Sequence, residues 1–555
     1  MITKAGITEN KLIDDSPVVR KKHYKLPVER PFTIDERDST TVLLGGITPG
    51  HDYLIEGAIQ GLGFKCKALP NTNITAFQYG RENGNTGYCN PTYFTSGNLI
   101  KFLKDLEAGG MSREEIIEKY VFLTTGCNAP CRFGMIEDQY RLVLRNTGFD
   151  GFRVIVFQKS GGMNQQVKGN AIDVNLRFFL ALVNAVHLGD IINELTAKIR
   201  PFEVEKGATN TVKKEALEYL HEVLKNQKHY RLKGFKKRSL NSLGIVNSVE
   251  FIGVLLDQLV SKRFEKALKE VRRKFETIVV DRLRMKTKVK LTGEFWAVTN
   301  QSEGNYNIMK FLEDEGAEVL TEPVATYLLF MFSKHALRLK DRKGIGIPPL
   351  TKPIGWIKAN FDYYKKHLVL NLGQKLYKRE YSRLVKVLGE PLHDLIDISE
   401  LQRLGDPYYN IRIEGGEGYL EVAKNIYYHQ NHLCHMVLSI KPFGCMPSTV
   451  SDGVQAAVTE HHKEMIFVPI ETSGEGEINA HSRVQMALGD GRCKAKEEFD
   501  TVLKETGKSI DEFRKFVDSH PGLKNPMYAV PHYEDVVGTA ANFVLHVKDL
   551  MELET

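Results

Sequence analysis

The residues with the most chemistry to offer are seven cysteines: Cys66, Cys89, Cys127, Cys131, Cys434, Cys445 and Cys493. So odd and sparse a set in 555 residues is no disulfide framework, which leaves reduced thiols for metal binding or redox chemistry. Cys127 and Cys131 share the string TTGCNAPCRFG, whose Cys-x3-Cys spacing is a weak signal by itself. Cys89 and Cys445 open two matching strings, Cys89-Asn90-Pro91-Thr92 and Cys445-Met446-Pro447-Ser448. Both read Cys-x-Pro-[Thr/Ser] ahead of an apolar-periodic run. Proline favours the first helical turn, so each cysteine is expected just before a helix, where unpaired N–H groups and the positive dipole end stabilise a thiolate.

Soft thiolates select zinc or an iron–sulfur cluster. Here the thiols come from separate loops, with no closely spaced histidine, which tilts the choice toward a cluster buried between domains. Cys89, Cys127, Cys131 and Cys445 are the candidate ligands. Cys66, in an apparent strand, and Cys493, in the polar stretch GRCKAKEEFD, read as small buried hydrophobes. Cys434 is evenly poised between the two roles.

Bringing four thiols together requires a scaffold, and the residue pattern predicts one. Residues 41–46 (TVLLGG) are a β-branched, apolar run ending in glycine, and 51–63 is apolar-periodic. A short strand at 64–69, a helix at 91–106 and strands at 120–125 and 152–158 follow. Such alternation implies a parallel sheet with crossover helices. From 171 to about 284 the pattern is helical throughout. A second α/β half then has strands near 289–294, 317–320, 435–441 and 465–470, with a helix at 306–316.

The expected fold is therefore α/β: two Rossmann-like parallel-sheet halves of about four strands each, a large helical insertion, and a cluster in the cleft between the halves. In residues, an N-terminal extension covers 1–39, the first half 40–170, the insertion 171–288, the second half 289–345 and 401–555, and a helical connection 346–400. Cys127, Cys131 and Cys445 follow strands and Cys89 precedes a crossover helix. All four thus fall at the carboxyl edges, where open α/β sheets bind ligands.

Composition narrows the partners. With 42% hydrophobic and 26% charged residues the chain is an ordinary globular one. A net charge of +7 does not demand nucleic acid, and the basic strings at 233–238 and 262–275 carry too few aromatics among their charges for it. An electrostatic scaffold ranks last. The first thirty residues lack a secretory pattern, and the longest apolar run, at 178–186, is far below the roughly 20 residues of a membrane span. The expectation is a cytoplasmic protein with no membrane partner, with a homodimer as its candidate assembly.

Four stretches carry a resemblance: GYCNPTYFTSGNLIKFL, TGCNAPCRFGMIEDQYR with GFDGFRVIVFQ, LTGEFWAVTNQSEGNYNI, and SIKPFGCMPSTVSDGVQ. Together they resemble the acyl-CoA dehydratase activase-related proteins, relatives of the 2-hydroxyacyl-CoA dehydratase subunits and of double-cubane cluster proteins. The similarity runs from about residue 40 to 488 and takes in the helical insertion, through NLRFFLALVNAVHLGDIIN and IRPFEVEKGATN. The resemblance implies an iron–sulfur cluster, a single cubane (4Fe-4S) or a double cubane (8Fe-9S), reduced by a separate ATP-hydrolysing activator that carries its own cluster. It points to Cys89, Cys127, Cys131 and Cys445 as ligands and to a small-molecule or acyl-CoA substrate. A double cubane wants more thiolates, which only Cys434 or Cys66 could add.

The chain has no GxxxxGK[ST] loop, and LLGGITPG at 43–50 reads as a tight strand-to-helix turn, so ATP hydrolysis is expected in the partner. Two polar groups, Glu294 with Asn305 and Asn307, and Glu471 with Ser473 and Glu475, could relay protons or simply cap helices. Neither supplies a named catalytic base. The competing reading is a two-lobed protein that captures a small ligand, with zinc or no metal at its cysteines.

Overall fold

The computed structural model describes residues 29–126, 131–158, 162–163, 171–227, 230, 246–345, 353–389 and 392–554. The first half runs β1 (Thr41–Leu44), α1 (Pro49–Gly61), β2 (Lys65–Ala68), α2 (Ile74–Asn83), α3 (Asn90–Ala108), α4 (Arg113–Lys119), β3 (Tyr120–Thr125), α5 (Ile136–Asn146), β4 (Arg153–Gln158) and β5 (Gly162–Met163). Its sheet has the order β2-β1-β3-β4-β5, the first four strands parallel and the two-residue β5 antiparallel to β4.

Helices α6 (Leu176–Ile199), α7 (Ala208–Lys225), α8 (Val246–Val260) and α9 (Arg263–Phe275) follow. The second half comprises β6 (Thr287–Gly293), α10 (Phe295–Thr299), α11 (Ile308–Asp314), β7 (Ala317–Leu320), α12 (Val324–Asp341), α13 (Pro353–Leu388), α14 (Ile398–Gly405), α15 (Tyr419–Gln430), β8 (Met436–Pro442), α16 (Met446–His461), β9 (Ile466–Thr472) and α17 (Glu477–Thr506). Its four strands are all parallel, in the order β7-β6-β8-β9.

Both sheets therefore place the second strand outside the first, then reverse to the third and fourth. The reversal opens a crevice at the carboxyl ends of β1 and β3 in one half and of β6 and β8 in the other. All seven residues of β8 are buried, as a central parallel strand covered on both faces must be. Each sheet has its own apolar core, and a third, larger one is shared by the helices, where Leu188, Ile191 and Ile192 of α6 meet Leu220 of α7 and Leu268 of α9.

Helix α6 corrects the hydropathy reading. Its 24 residues extend well beyond the run at 178–186, and by length and composition it could cross a membrane. Its most apolar window is 67% buried within the protein, which is the setting of a core helix. Helix α2 is also additional to the predicted elements. Its start is fixed by Asn73, whose side chain accepts from the Ala76 N–H at 3.0 Å, and it crosses α3 where neither Gly80 nor Gly97 has room for a side chain: a Cβ on Gly97 would lie 1.7 Å from the Ala76 carbonyl oxygen.

Candidate functional site

The two halves meet through residues that follow their strands. Thr72, after β2, shares a 2.8 Å hydrogen bond with Ser302, and the Ile74 N–H donates to Glu303. Asn90, at the start of α3, donates its amide to the Thr472 carbonyl at the end of β9, 3.0 Å away. Arg81 of α2 pairs with Glu475 at 3.2 Å. Aromatic packing seals this seam: the Phe94 and Trp296 rings lie 5.5 Å apart, and Phe77 fills the space where Gly474 has no side chain.

Cys89 and Cys445 lie at this junction. Each is the N-cap of its helix, Cys89 for α3 and Cys445 for α16, with proline at the second helical position. The residue at the third position reaches back in both: Thr92 Oγ1 lies 3.4 Å from the Cys89 sulfur, and Ser448 donates its hydroxyl to the Cys445 sulfur at 3.0 Å. Gly444, in the left-handed region at φ 77°, brings the two caps together. A Cβ there would lie 3.8 Å from Cys89 Cα and 3.6 Å from both the Tyr88 carbonyl oxygen and Arg132 Nη1. Cys131, partly buried, caps the 3-10 turn Arg132–Met135, so the arginine that follows it reaches the same spot. Cys127 lies outside the described residues.

The local similarity of the two Cys-x-Pro strings does not mark equivalent places in the two halves. Cys445 follows the third strand of its sheet, as Cys131 follows β3 in the first half. Cys89 precedes the helix leading toward its third strand. The corresponding place in the second half, just before α15 and β8, holds Glu417.

Electrostatics around the sulfurs run against the simple dipole expectation. Burial pushes the Cys89 thiol up, the Thr92 hydroxyl and Arg132 draw it down, and Glu294 pushes it further up. Cys445 is pushed up to about 12, first by burial, then by Glu294 and Glu417, with Ser448 opposing. A helix terminus contributes about 0.3–1 kcal/mol at exposed sites, too little to outweigh loss of water and two neighbouring carboxylates. Without a bound cation, burial favours the protonated thiol at both positions. A cationic centre inverts that preference, because coordination deprotonates a thiol outright.

Glu294 caps α10, accepting the Ala297 N–H at 2.9 Å, and burial and Glu421 raise its carboxyl above the ordinary range. It therefore acts both as a cap and as part of the charge environment of both sulfurs. Asn305 ends the 3-10 turn Glu303–Asn305, donating to the Ala297 carbonyl at 2.8 Å, and Asn307 takes a left-handed conformation before α11. Ser473 and Glu475 tie the loop after β9 to Tyr306, while Glu471 is exposed. Capping and turn chemistry account for Asn305, Asn307, Ser473 and Glu475, and Glu471 is a strand residue of β9.

Sequence reasoning passed over Glu417. It is buried in a loop where Gly415, Gly416 and Gly418 all take positive φ, and Gly416 abuts Pro447 so closely that a Cβ would stand 2.9 Å from the proline Cβ. Burial, then Glu294, raises its carboxyl well above the ordinary range, and its Oε1 has no hydrogen-bond partner among the described residues. The only sequence signal for it was the glycine density of GGEG.

The other cysteines stand apart. Cys66 is buried in β2 with its thiol pushed up by burial, and Cys434 belongs to the helical core with its thiol pushed up to about 12, again by burial. Cys493 is exposed on α17, against the expectation of a buried hydrophobe. The inward positions of that turn are taken by Gly491 and Ala495, which leaves the cysteine on the solvated face. Among the described residues no group of three or more His, Cys, Asp or Glu side chains is arranged to hold a metal ion.

No protein-family model matches the chain, and comparison with curated proteins finds no match.

Proposed function

We propose that this chain is an iron–sulfur protein of the 2-hydroxyacyl-CoA dehydratase and double-cubane type, which accepts low-potential electrons from a separate ATP-hydrolysing activator and reduces a small substrate or a partner. The observation that carries this reading is the meeting of Cys89 and Cys445, two helix-capping thiols from opposite halves, beside the turn that Cys131 opens. Donor chemistry suits the group: soft sulfur, little water, and helix N-termini behind two of the ligands. The described residues do not complete a ligand set, so the proposal requires Cys127 with Cys89, Cys131 and Cys445.

A thiolate-held cluster would supply one-electron transfer at low potential. The chain's own residues provide the rest. Thr92 and Ser448 orient the sulfurs and moderate their charge through hydroxyl contacts. Phe94 and Trp296 exclude water from the seam. Glu417 and Glu294, whose carboxyls burial pushes upward, stand beside Cys445 as groups that could pass protons during reduction.

The second reading, a two-lobed ligand-binding protein with zinc or no metal, draws on a cavity in the same seam lined by Gly45, Thr72, Asn300 and Gln301 together with Phe122 and Trp296. Anaerobic purification separates the two. A brown protein with broad visible absorption and matched iron and sulfide supports the first; a colourless one supports the second.

A further inference from the structure

We propose that the outer face of α13 pairs with the same face of a second copy of this chain, the two helices running parallel. The pairing is independent of what the cysteines hold. Helix α13 is amphipathic in the wrong sense for a monomer. Ile354, Ile357, Phe361, Tyr364, Leu368 and Leu372 recur at spacings of three and four residues, which puts them on one stripe, and all are exposed: Ile354 83%, Phe361 66%, Leu368 68%. The opposite side, turned toward the protein, carries the less exposed Gly355, Ala359 and Tyr363. Farther along, Tyr377, Tyr381, Leu384 and Leu388 of the same helix are buried in the helical core, so the stripe sits on a firmly anchored element.

Three features commit the stripe to a second copy. First, from Ile354 to Leu368 the spacing alternates three and four residues, that of a two-helix seam narrow enough to be covered by one helix of the same pattern, and a two-fold pair is self-complementary by construction. Second, at the observed exposures, and at about 200 Å² for a large side chain, the stripe offers roughly 800 Å² per copy. That exceeds the roughly 300–600 Å² of a monomer's largest apolar patch and matches the ~800 Å² per partner of a standard interface. Third, charge fixes the direction. With Ile354 and Phe361 as first seam positions, Lys358 and Lys365 form one shoulder and Asn360 and His367 the other. Parallel pairing sets each shoulder against the opposite one, lysine facing amide or imidazole. Antiparallel pairing sets Lys358 of each copy beside Lys365 of the other, a like-charge contact made twice.

Sedimentation velocity of the intact, anaerobically purified protein across the micromolar range tests this. The expected result is a dimer whose dissociation constant rises by roughly 100-fold or more in Phe361→Glu with Leu368→Glu, with circular dichroism unchanged. If that variant misfolds, Tyr364→Lys alone takes its place. A protein monomeric throughout the range, or a dimer that these changes leave intact, overturns the proposal. So does a monomer that co-sediments with phosphatidylglycerol vesicles, which assigns the stripe to a lipid surface. Direction is read from Ile354→Cys in a Cys493→Ser background. A short bismaleimide links position 354 to itself in the parallel arrangement, and failure to link an intact dimer overturns the parallel assignment.

Discussion

Ser448 donates its hydroxyl to the sulfur of Cys445 at 3.0 Å, across one turn of the helix that the cysteine itself caps. Hydrogen bonds to ligand sulfur stabilise the more negative, reduced state of a cluster. Ser448→Ala is therefore expected to retain iron and to lower the reduction potential, by about 60 mV if the bond favours the reduced state by ~1.4 kcal/mol. Redox titration followed by EPR measures this, and an unchanged or raised potential separates the hydroxyl from the site.

Helices α2 and α3 are held together by absent side chains. With only 1.7 Å between a Cβ at position 97 and the Ala76 carbonyl oxygen, Gly97→Ala must push the helices apart. A loss of about 1–3 kcal/mol or more is expected in denaturant unfolding. Because α2 carries Phe77 and Arg81 into the seam, iron retention should fall with stability. Gly453→Ala on α16, with open space around it, is the matched control.

His187 lies fully buried between the Tyr377 and Tyr381 rings, and burial pushes its imidazole from 6.5 down to about 3. The unfolded chain binds that proton at higher pH than the folded one. Stability is thus complete above pH 6.5 and lost as pH falls toward 3, at about 1.4 kcal/mol per pH unit, or about 2 kcal/mol by pH 5. In His187→Leu the fall between pH 6.5 and 5 should be shallower by that amount. Equal slopes by denaturant titration would show that another group carries the acid sensitivity.

No GxxxxGK[ST] string occurs in the sequence, and in the turn after β1 the Gly46 and Ile47 N–H groups, which would otherwise face an anion, both donate to Asp52. Calorimetric titration with MgATP is expected to give no saturable micromolar isotherm. Tight binding would place the ATP step in this chain and remove the need for a separate activator.

How much of this was legible in the sequence depends on whether the cause is local. Strand β3 and strand β7 lie where the apolar runs at 120–125 and 317–320 put them, because β-branched runs and glycine boundaries are local signals. The two cysteine caps were legible for the same reason: proline fixes the helix start. Helix α2 was not, since ITAFQYGREN is weakly patterned and is fixed by its glycine-to-backbone contact with α3. Glu417 was hidden because its burial is a tertiary result of three left-handed glycines folding over Pro447. The sign of the thiol shifts was hidden too, since it depends on how deeply the halves bury the sulfurs.

The central claim is that Cys89, Cys127, Cys131 and Cys445 together hold an iron–sulfur cluster. The most direct measurement is iron and acid-labile sulfide per chain, with an EPR spectrum of the reduced protein, in the anaerobically purified wild type and its four Cys→Ser variants. The account predicts at least about four iron per chain, as one cubane contains, with each variant losing iron or changing its spectrum and Cys493→Ser changing neither. Stoichiometric zinc, no metal at all, or iron and spectra unaltered in all four variants would contradict it.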